Sequence, residues 1–92
     1  MKVRVFGTLR AIVGDSKELE VHVDGTSTAG EMLSQLAVTY PGLKDKVLGE
    51  GQNLRGGVNI LVNGRSVRFL DGLRTLVEEG DELALFPPIG GG

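Results

Sequence analysis

The sequence predicts a single α+β domain on three observations. Apolar and polar residues alternate with a period of two near both ends of the chain. One stretch between them repeats apolar residues at three- and four-residue steps behind a helix-start signal, and Asn63-Gly64 stands between two apolar runs as a hairpin turn. A stripe with period 3.6 must bury itself against a face with period 2, so a helix crossing one face of a small sheet is the natural arrangement.

In KVRVFG, Val3 and Val5 alternate with Lys2, Arg4 and Phe6, which predicts a strand over 2–6. Leu9, Ile12 and Val13 carry the chain to a turn at Gly14-Asp15. The run ELEVHV places Leu19, Val21 and Val23 on one face and Glu18, Glu20 and His22 on the other, a second strand over 18–23. Thr28-Ala29-Gly30-Glu31 has the spacing of a capping box, in which hydroxyl and carboxylate each satisfy an orphan N–H at a helix start. Behind it Ala29, Met32, Leu33, Leu36, Ala37 and Tyr40 form one apolar stripe that ends at Pro41-Gly42. Residues 41–57 hold five glycines and one short cluster of Leu43, Val47 and Leu48, and read as a long loop with at most one helical turn. Strands follow at 58–62, 65–69 and 82–86; between the last two, Leu70, Leu73, Leu76 and Val77 fill a bend and Glu79-Gly80-Asp81 makes a turn. This divides the chain into a folded part, 1–86, and a tail, 87–92. Fixing a backbone residue costs roughly 1–2 kcal/mol, and Gly90, Gly91 and Gly92 offer no side chain to offset it, so the tail is expected to be flexible.

Composition excludes several classes of function. There is no cysteine, which removes disulfides, thiolate metal sites and thiol nucleophiles and fits a reducing cytoplasm. Ten Lys and Arg are scattered among twelve Asp and Glu, for a net charge of -2, which argues against nucleic acid as a partner. No run approaches the ~20 apolar residues of a membrane span. His22 is the only histidine and lies on a polar strand face, with no nucleophile or metal-ligand spacing around it. Glu78, Glu79, Asp81 and Glu82 straddle a tight turn and read as a solvated corner. The segments Gly49-Glu50-Gly51 and Gly56-Gly57 lack the Lys-Ser/Thr and the strand-to-helix context of a phosphate cradle, and read as loop glycines. No metal site and no cofactor of its own are expected.

What remains is the tail and the sheet face beside it. Alternation turns Phe6, Leu61 and Phe86 away from the helix, amid Lys2, Arg4 and Arg68, which predicts an apolar centre with a basic rim and hence a partner surface. Six residues after Phe86 reach roughly 20 Å. Pro87-Pro88 stiffens their base, Ile89 follows, and Gly90-Gly91-Gly92 lacks β-carbons, so the backbone can thread a narrow channel and deliver a carboxyl group at its far end.

These residues resemble the small, sulfur-carrying subunit of molybdopterin synthase and its ubiquitin-like relatives of the β-grasp fold. The likeness spans essentially the whole chain: the opening strand followed by LRAIVG, the capped helix, the hairpin VNGRSV, the segment LVEEGDELALFPP and the terminal Gly91-Gly92. The resemblance implies a mixed sheet with the first and last strands side by side, bringing Phe6 and Phe86 together. It also implies a cycle in which an ATP-dependent adenylyltransferase of the ubiquitin-activating type adenylates the carboxylate of Gly92. A sulfur donor then displaces AMP to give a thiocarboxylate, and the tail enters the large synthase subunit to hand sulfur to a pterin precursor. ATP is used by the activating enzyme, and the chain is a non-catalytic carrier. Two features depart from the family pattern: Gly90 stands where relatives often carry a side chain, and the 41–57 segment is longer than the minimal member needs. Such longer forms resemble archaeal-type members, some of which are conjugated to target-protein lysines or supply sulfur to tRNA.

Overall fold

The computed structural model describes residues 1–49 and 53–88. Strand β1 (Lys2–Val5) is followed by a 3-10 helix, Gly7–Val13, then by β2 (Glu18–Glu20) and β3 (Thr26–Thr28). Helix α1 (Ala29–Thr39) and helix α2 (Pro41–Val47) come next. Strands β4 (Asn59–Val62), β5 (Arg65–Ser66), β6 (Leu76–Glu78) and β7 (Glu82–Phe86) complete the described chain. The main sheet has the order β2-β1-β7-β4-β5; β1 and β7 run parallel at its centre and the other pairs are antiparallel. A mixed sheet with its first and last strands adjacent is the arrangement that the resemblance implies.

Alternation decides which side is covered. Val3 and Val5 register with Leu83 and Leu85, and Ile60 and Val62 with Leu85 and Leu83, so six aliphatic side chains share one face. All are buried, and α1 lays Ala29, Met32, Leu33 and Leu36 into the same core. The capping box forms as its spacing predicts: Glu31 N–H donates to Thr28 Oγ1, and Thr28 N–H donates to the Glu31 carboxylate. The hairpin turn is also as expected, with Asn63 and Gly64 both at positive φ, and Asn63 Oδ1 accepts from the Glu82 N–H to tie the turn to β7.

The structure corrects four element expectations. Residues 41–57 are not a loop with at most one turn: α2 has seven residues, with Pro41 at its start, where a missing N–H costs nothing, and with Leu43 and Val47 fully buried one turn apart. The strand expected over 65–69 stops at Ser66, because Ser66 Oγ accepts from Arg68 N–H and caps a 3-10 turn, Val67–Phe69. Phe69 is thereby turned out to 90 % exposure. The bend at 70–77 contains a strand, since β6 pairs with β3 in a separate two-stranded sheet that buries Val77 and leaves Leu76 exposed. The second strand covers 18–20 only, although Val21 and Val23 beyond it are buried while His22 is exposed.

Candidate functional site: the root of the tail

Strand β1 ends beside β7, and the Phe6 N–H donates to the Leu85 carbonyl at 3.0 Å. That bond keeps the strands in step one residue further, so Phe6 and Phe86 meet. Their rings stack at a centroid distance of 4.3 Å and an interplanar angle of 8°, both half-buried on the face away from α1. Such a pair is worth about 0.5–1.5 kcal/mol beyond area burial. Arg10 covers the outer side of the pair: its Nε donates to the Val5 carbonyl at 2.8 Å, and its guanidinium lies 5.7 Å from the Phe6 centroid.

The other residues expected at the site divide. Leu61 is half-buried in register with Ala84, on the same face as Phe86. Arg68 lies beyond the end of β5, and its Nη2 donates to the carbonyls of Val58 and Arg55, at 2.6 and 3.1 Å. Pro87 and Pro88 are half-buried. Ile89, Gly90, Gly91 and Gly92 lie outside the described residues.

Of the basic rim expected from Lys2, Arg4 and Arg68, two members are engaged by groups of the chain itself. Arg4 is held between Glu82, at 2.9 Å, and Glu18, at 3.9 Å, because the register places acidic strand residues on both sides of it. The cation over the stack is Arg10, which the sequence pattern does not single out. Its position one turn into the 3-10 helix after β1 becomes meaningful only once that helix is seen.

Gly57, expected only as a loop glycine, and Gly7 both lie against the tail root. Gly7 has φ +58, and a β-carbon built on it would stand 2.7 Å from Pro87 Cγ; Gly57 has φ +85, and its β-carbon would stand 3.1 Å from Pro88 Cβ. One follows β1 and the other precedes β4, the two neighbours of β7, so the loops beside the exiting strand close on consecutive prolines. A shallow groove beside the prolines is lined by Thr8, Leu9, Asp45, Lys46 and Arg55, which brings α2 and the segment after it to the tail root.

The acidic corner has local work. Glu79 accepts from the α-amino group of Met1 at 3.0 Å, and Glu20 lies 3.6 Å from that amine. The hydrogen bond to Glu79 raises the amine's pKa and, reciprocally, holds the Glu79 carboxyl below its ordinary range. Asp81 accepts from the Glu78 N–H and from Asn63 Nδ2. Among the described residues no group of three or more His, Asp or Glu is placed to hold a metal ion, and no helix is long and apolar enough to cross a membrane.

A mixed five-stranded sheet grasping one principal helix, with its first and last strands paired at the centre, defines a ubiquitin-like β-grasp protein. The chain belongs to the ThiS family, whose model matches residues 3–92. It is 38 % identical to small archaeal modifier protein 3 of Haloferax volcanii, over 100 % of this chain and 98 % of that protein. A chain of the Amycolatopsis orientalis BexX/CysO complex matches with TM-score 0.85 and 30 % identity, over 99 % of this chain and 98 % of that one. The molybdopterin synthase sulfur carrier subunit of Mycobacterium tuberculosis is 29 % identical, over 100 % of this chain and 96 % of that protein. The chain is thus a member of a sulfur-carrier and small-modifier family in which the synthase subunit is one member among several.

Proposed function

We propose that the chain carries an activated carboxylate at Gly92. The observation that supports this most directly is the stacked Phe6–Phe86 pair at the root of a proline-stiffened, glycine-terminated tail. A carboxylate is a poor acyl donor, and the chain supplies nothing to improve it, so a partner must. An ATP-dependent adenylyltransferase docks on the aromatic pair, joins AMP to the Gly92 carboxylate and releases pyrophosphate. A hydrosulfide equivalent from a sulfur donor then attacks the acyl carbon, AMP leaves, and a thiocarboxylate remains. Delivery of that sulfur to a pterin precursor in the large subunit of molybdopterin synthase, in the cytoplasm, is the use we put first. Phe6, Leu61, Arg68 and Phe86 contact the partners, and 87–91 thread the channel that leads to the reacting centre.

A second use of the same acyl adenylate is attack by a lysine amine of a target protein, giving an isopeptide bond. The likeness to a small archaeal modifier protein favours this reading, and sulfur supply to tRNA would draw on the same thiocarboxylate. Mass spectrometry of the protein from its own cells separates the uses. Sulfur in place of oxygen at Gly92 supports the carrier, a Gly-Gly remnant on other proteins' lysines supports the modifier, and an unmodified carboxylate with no remnant overturns both. Removing Gly91-Gly92 should abolish activation and leave the Tm nearly unchanged, because two glycines carry no side chain to bury.

A further inference from the structure

Seven glycines among the described residues have positive φ, and they fall into two groups. At Gly14, Gly25, Gly64, Gly72 and Gly80 an added β-carbon would stand in open space, so backbone conformation alone accounts for the residue. At Gly7 and Gly57 the β-carbon would meet something, and in both cases it is a proline of the tail root. The clearance is 2.7 Å to Pro87 Cγ and 3.1 Å to Pro88 Cβ. Real β-carbons essentially never approach within 3.0 Å, so at Gly7 any side chain would have to displace Pro87. Residues 50 positions apart in sequence, one just after β1 and one just before β4, thus leave room for consecutive residues of one segment.

We propose that Gly7 and Gly57 are positioning residues: together they form a seat for Pro87-Pro88 that fixes the direction of the chain as it leaves β7. The inference rests on the carrier reading above and deepens it. A partner grips the stacked pair, but the reacting carboxyl lies several residues beyond it. With free rotation after Phe86, one grip would correspond to many positions of the tail. Proline fixes φ near -65°, and a seat under both rings restricts the remaining freedom, so docking on Phe6 and Phe86 also aims the tail. Two positions without β-carbons are what allow backbone to lie this close to the rings.

The test compares Gly7→Ala and Gly57→Ala with Gly25→Ala, which has similar backbone strain at φ +67 and no neighbour. Gly7→Ala should lower the Tm by about 5 °C or more beyond Gly25→Ala, the shift that roughly 1 kcal/mol gives in a domain of this size. In a Pro87→Ala background, which lacks the Cγ and Cδ that the new β-carbon would strike, Gly7→Ala should cost no more than Gly25→Ala. In a Pro88→Ala background Gly57→Ala should keep its full cost, since the nearest atom there is the Cβ that alanine retains. Cα–Hα residual dipolar couplings of Pro87 and Pro88 should change in Gly7→Ala and stay unchanged in Gly25→Ala. In ATP–pyrophosphate exchange with the adenylyltransferase of the cell that makes the protein, Gly7→Ala should keep its KM and lose about tenfold or more in kcat. Misplacing a reacting group by about 1 Å can cost a hundredfold, whereas lost docking would raise KM. Unchanged couplings, or a Gly7→Ala cost as large in the Pro87→Ala background as in the wild-type background, overturn the seat. Changed couplings with an unchanged kcat overturn its role in aiming the tail. If the wild-type chain is not activated at all, the carrier reading falls and the aiming role with it, while the couplings and the Tm cycle still decide the seat.

Discussion

On the helix-covered face of the main sheet, Val3, Val5, Ile60, Val62, Leu83 and Leu85 are no more than 7 % exposed, and the rows they form across β1, β7 and β4 are aliphatic. On the opposite face the same strands show Lys2, Arg4, Glu18, Glu20 and Glu82 over most of their length, with Leu61 and Ala84 between them and Phe6 and Phe86 at one end. Burial against α1 is non-directional and spread evenly, so it holds the fold without marking any position. Charges paired across strands, as Arg4 is with Glu82 and Glu18, offer little net attraction to a partner. Apolar contact on the open face is therefore concentrated at the corner from which the tail leaves, and on the proposed function stability and recognition come from opposite sides of one sheet.

The largest effect that tests this division is in the core. Leu36 projects from α1 into the covered face and is 5 % exposed, so Leu36→Ala should destabilise by about 2–5 kcal/mol through lost burial and a residual cavity. Denaturant titration measures it, and a cost below about 1 kcal/mol would mean that α1 is not the principal cover.

Next come the aromatics. Phe6→Ala and Phe86→Ala should each weaken binding to the adenylyltransferase and to the large synthase subunit by roughly thirtyfold, since truncating a central aromatic commonly costs 2 kcal/mol or more. Their stability loss should be smaller than that of Leu36→Ala, because the rings are half-buried and stack mainly on each other. Titrations beside a thermal melt check both halves. Unchanged affinity, or a melt as damaged as that of the core variant, would remove the contrast between the two faces.

How much of this was legible in the sequence follows from the range of each interaction. Helix α1 could be read because its signals are local: Thr28 and Glu31 are three residues apart, and the stripe from Ala29 to Tyr40 repeats within one element. Helix α2 was obscured because Pro41-Gly42 reads as an ending. Here it ends one helix and starts the next, and the four-residue spacing of Leu43 and Val47 is a single repeat. Strand β6 has three residues, too few for the exposed Leu76 and buried Val77 to display a period. Alternation turned Phe6 and Phe86 outward, but their meeting needed the pairing of the first and last strands. Neither the neutralised Arg4 nor the contacts of Gly7 with Pro87 and Gly57 with Pro88 has any local sequence signal, since each depends on strand order.

A smaller effect separates fold from site by its pH profile. Glu79 is held below its ordinary pKa chiefly by the Met1 amine, so its contribution is present above about pH 4.5 and is lost as pH falls through the lower folded-state value. The amine is raised above about 8.0, chiefly by Glu79, so its contribution is complete below that pH and is lost as pH rises through the folded-state value. Wild type should therefore exceed Glu79→Gln in Tm most clearly between about pH 5 and 8, with the two curves converging at both ends. The gap should be small, as for other exposed pairs, and partner affinity should not follow it. Parallel Tm curves across the range would show that the pair does not set the dependence.

The smallest expected effect is that of His22→Ala. The imidazole is 76 % exposed, and its one hydrogen bond is to Asp24, at 2.8 Å, which is itself 94 % exposed. An exposed pair of this kind contributes little, and surface substitutions away from special features usually stay within about 0.5 kcal/mol. The histidine also lies between β2 and β3, beside Glu18 and Glu20, and the contacts described at the tail root do not include it. Activation, sulfur transfer and melting should all be unchanged within error. His22 is also the chain's only histidine, the residue type that most often serves in proton transfer. If His22→Ala stopped transfer while the melt stayed intact, the chemistry would involve the acidic edge as well as the tail root, and recognition could no longer be assigned to one corner of the open face.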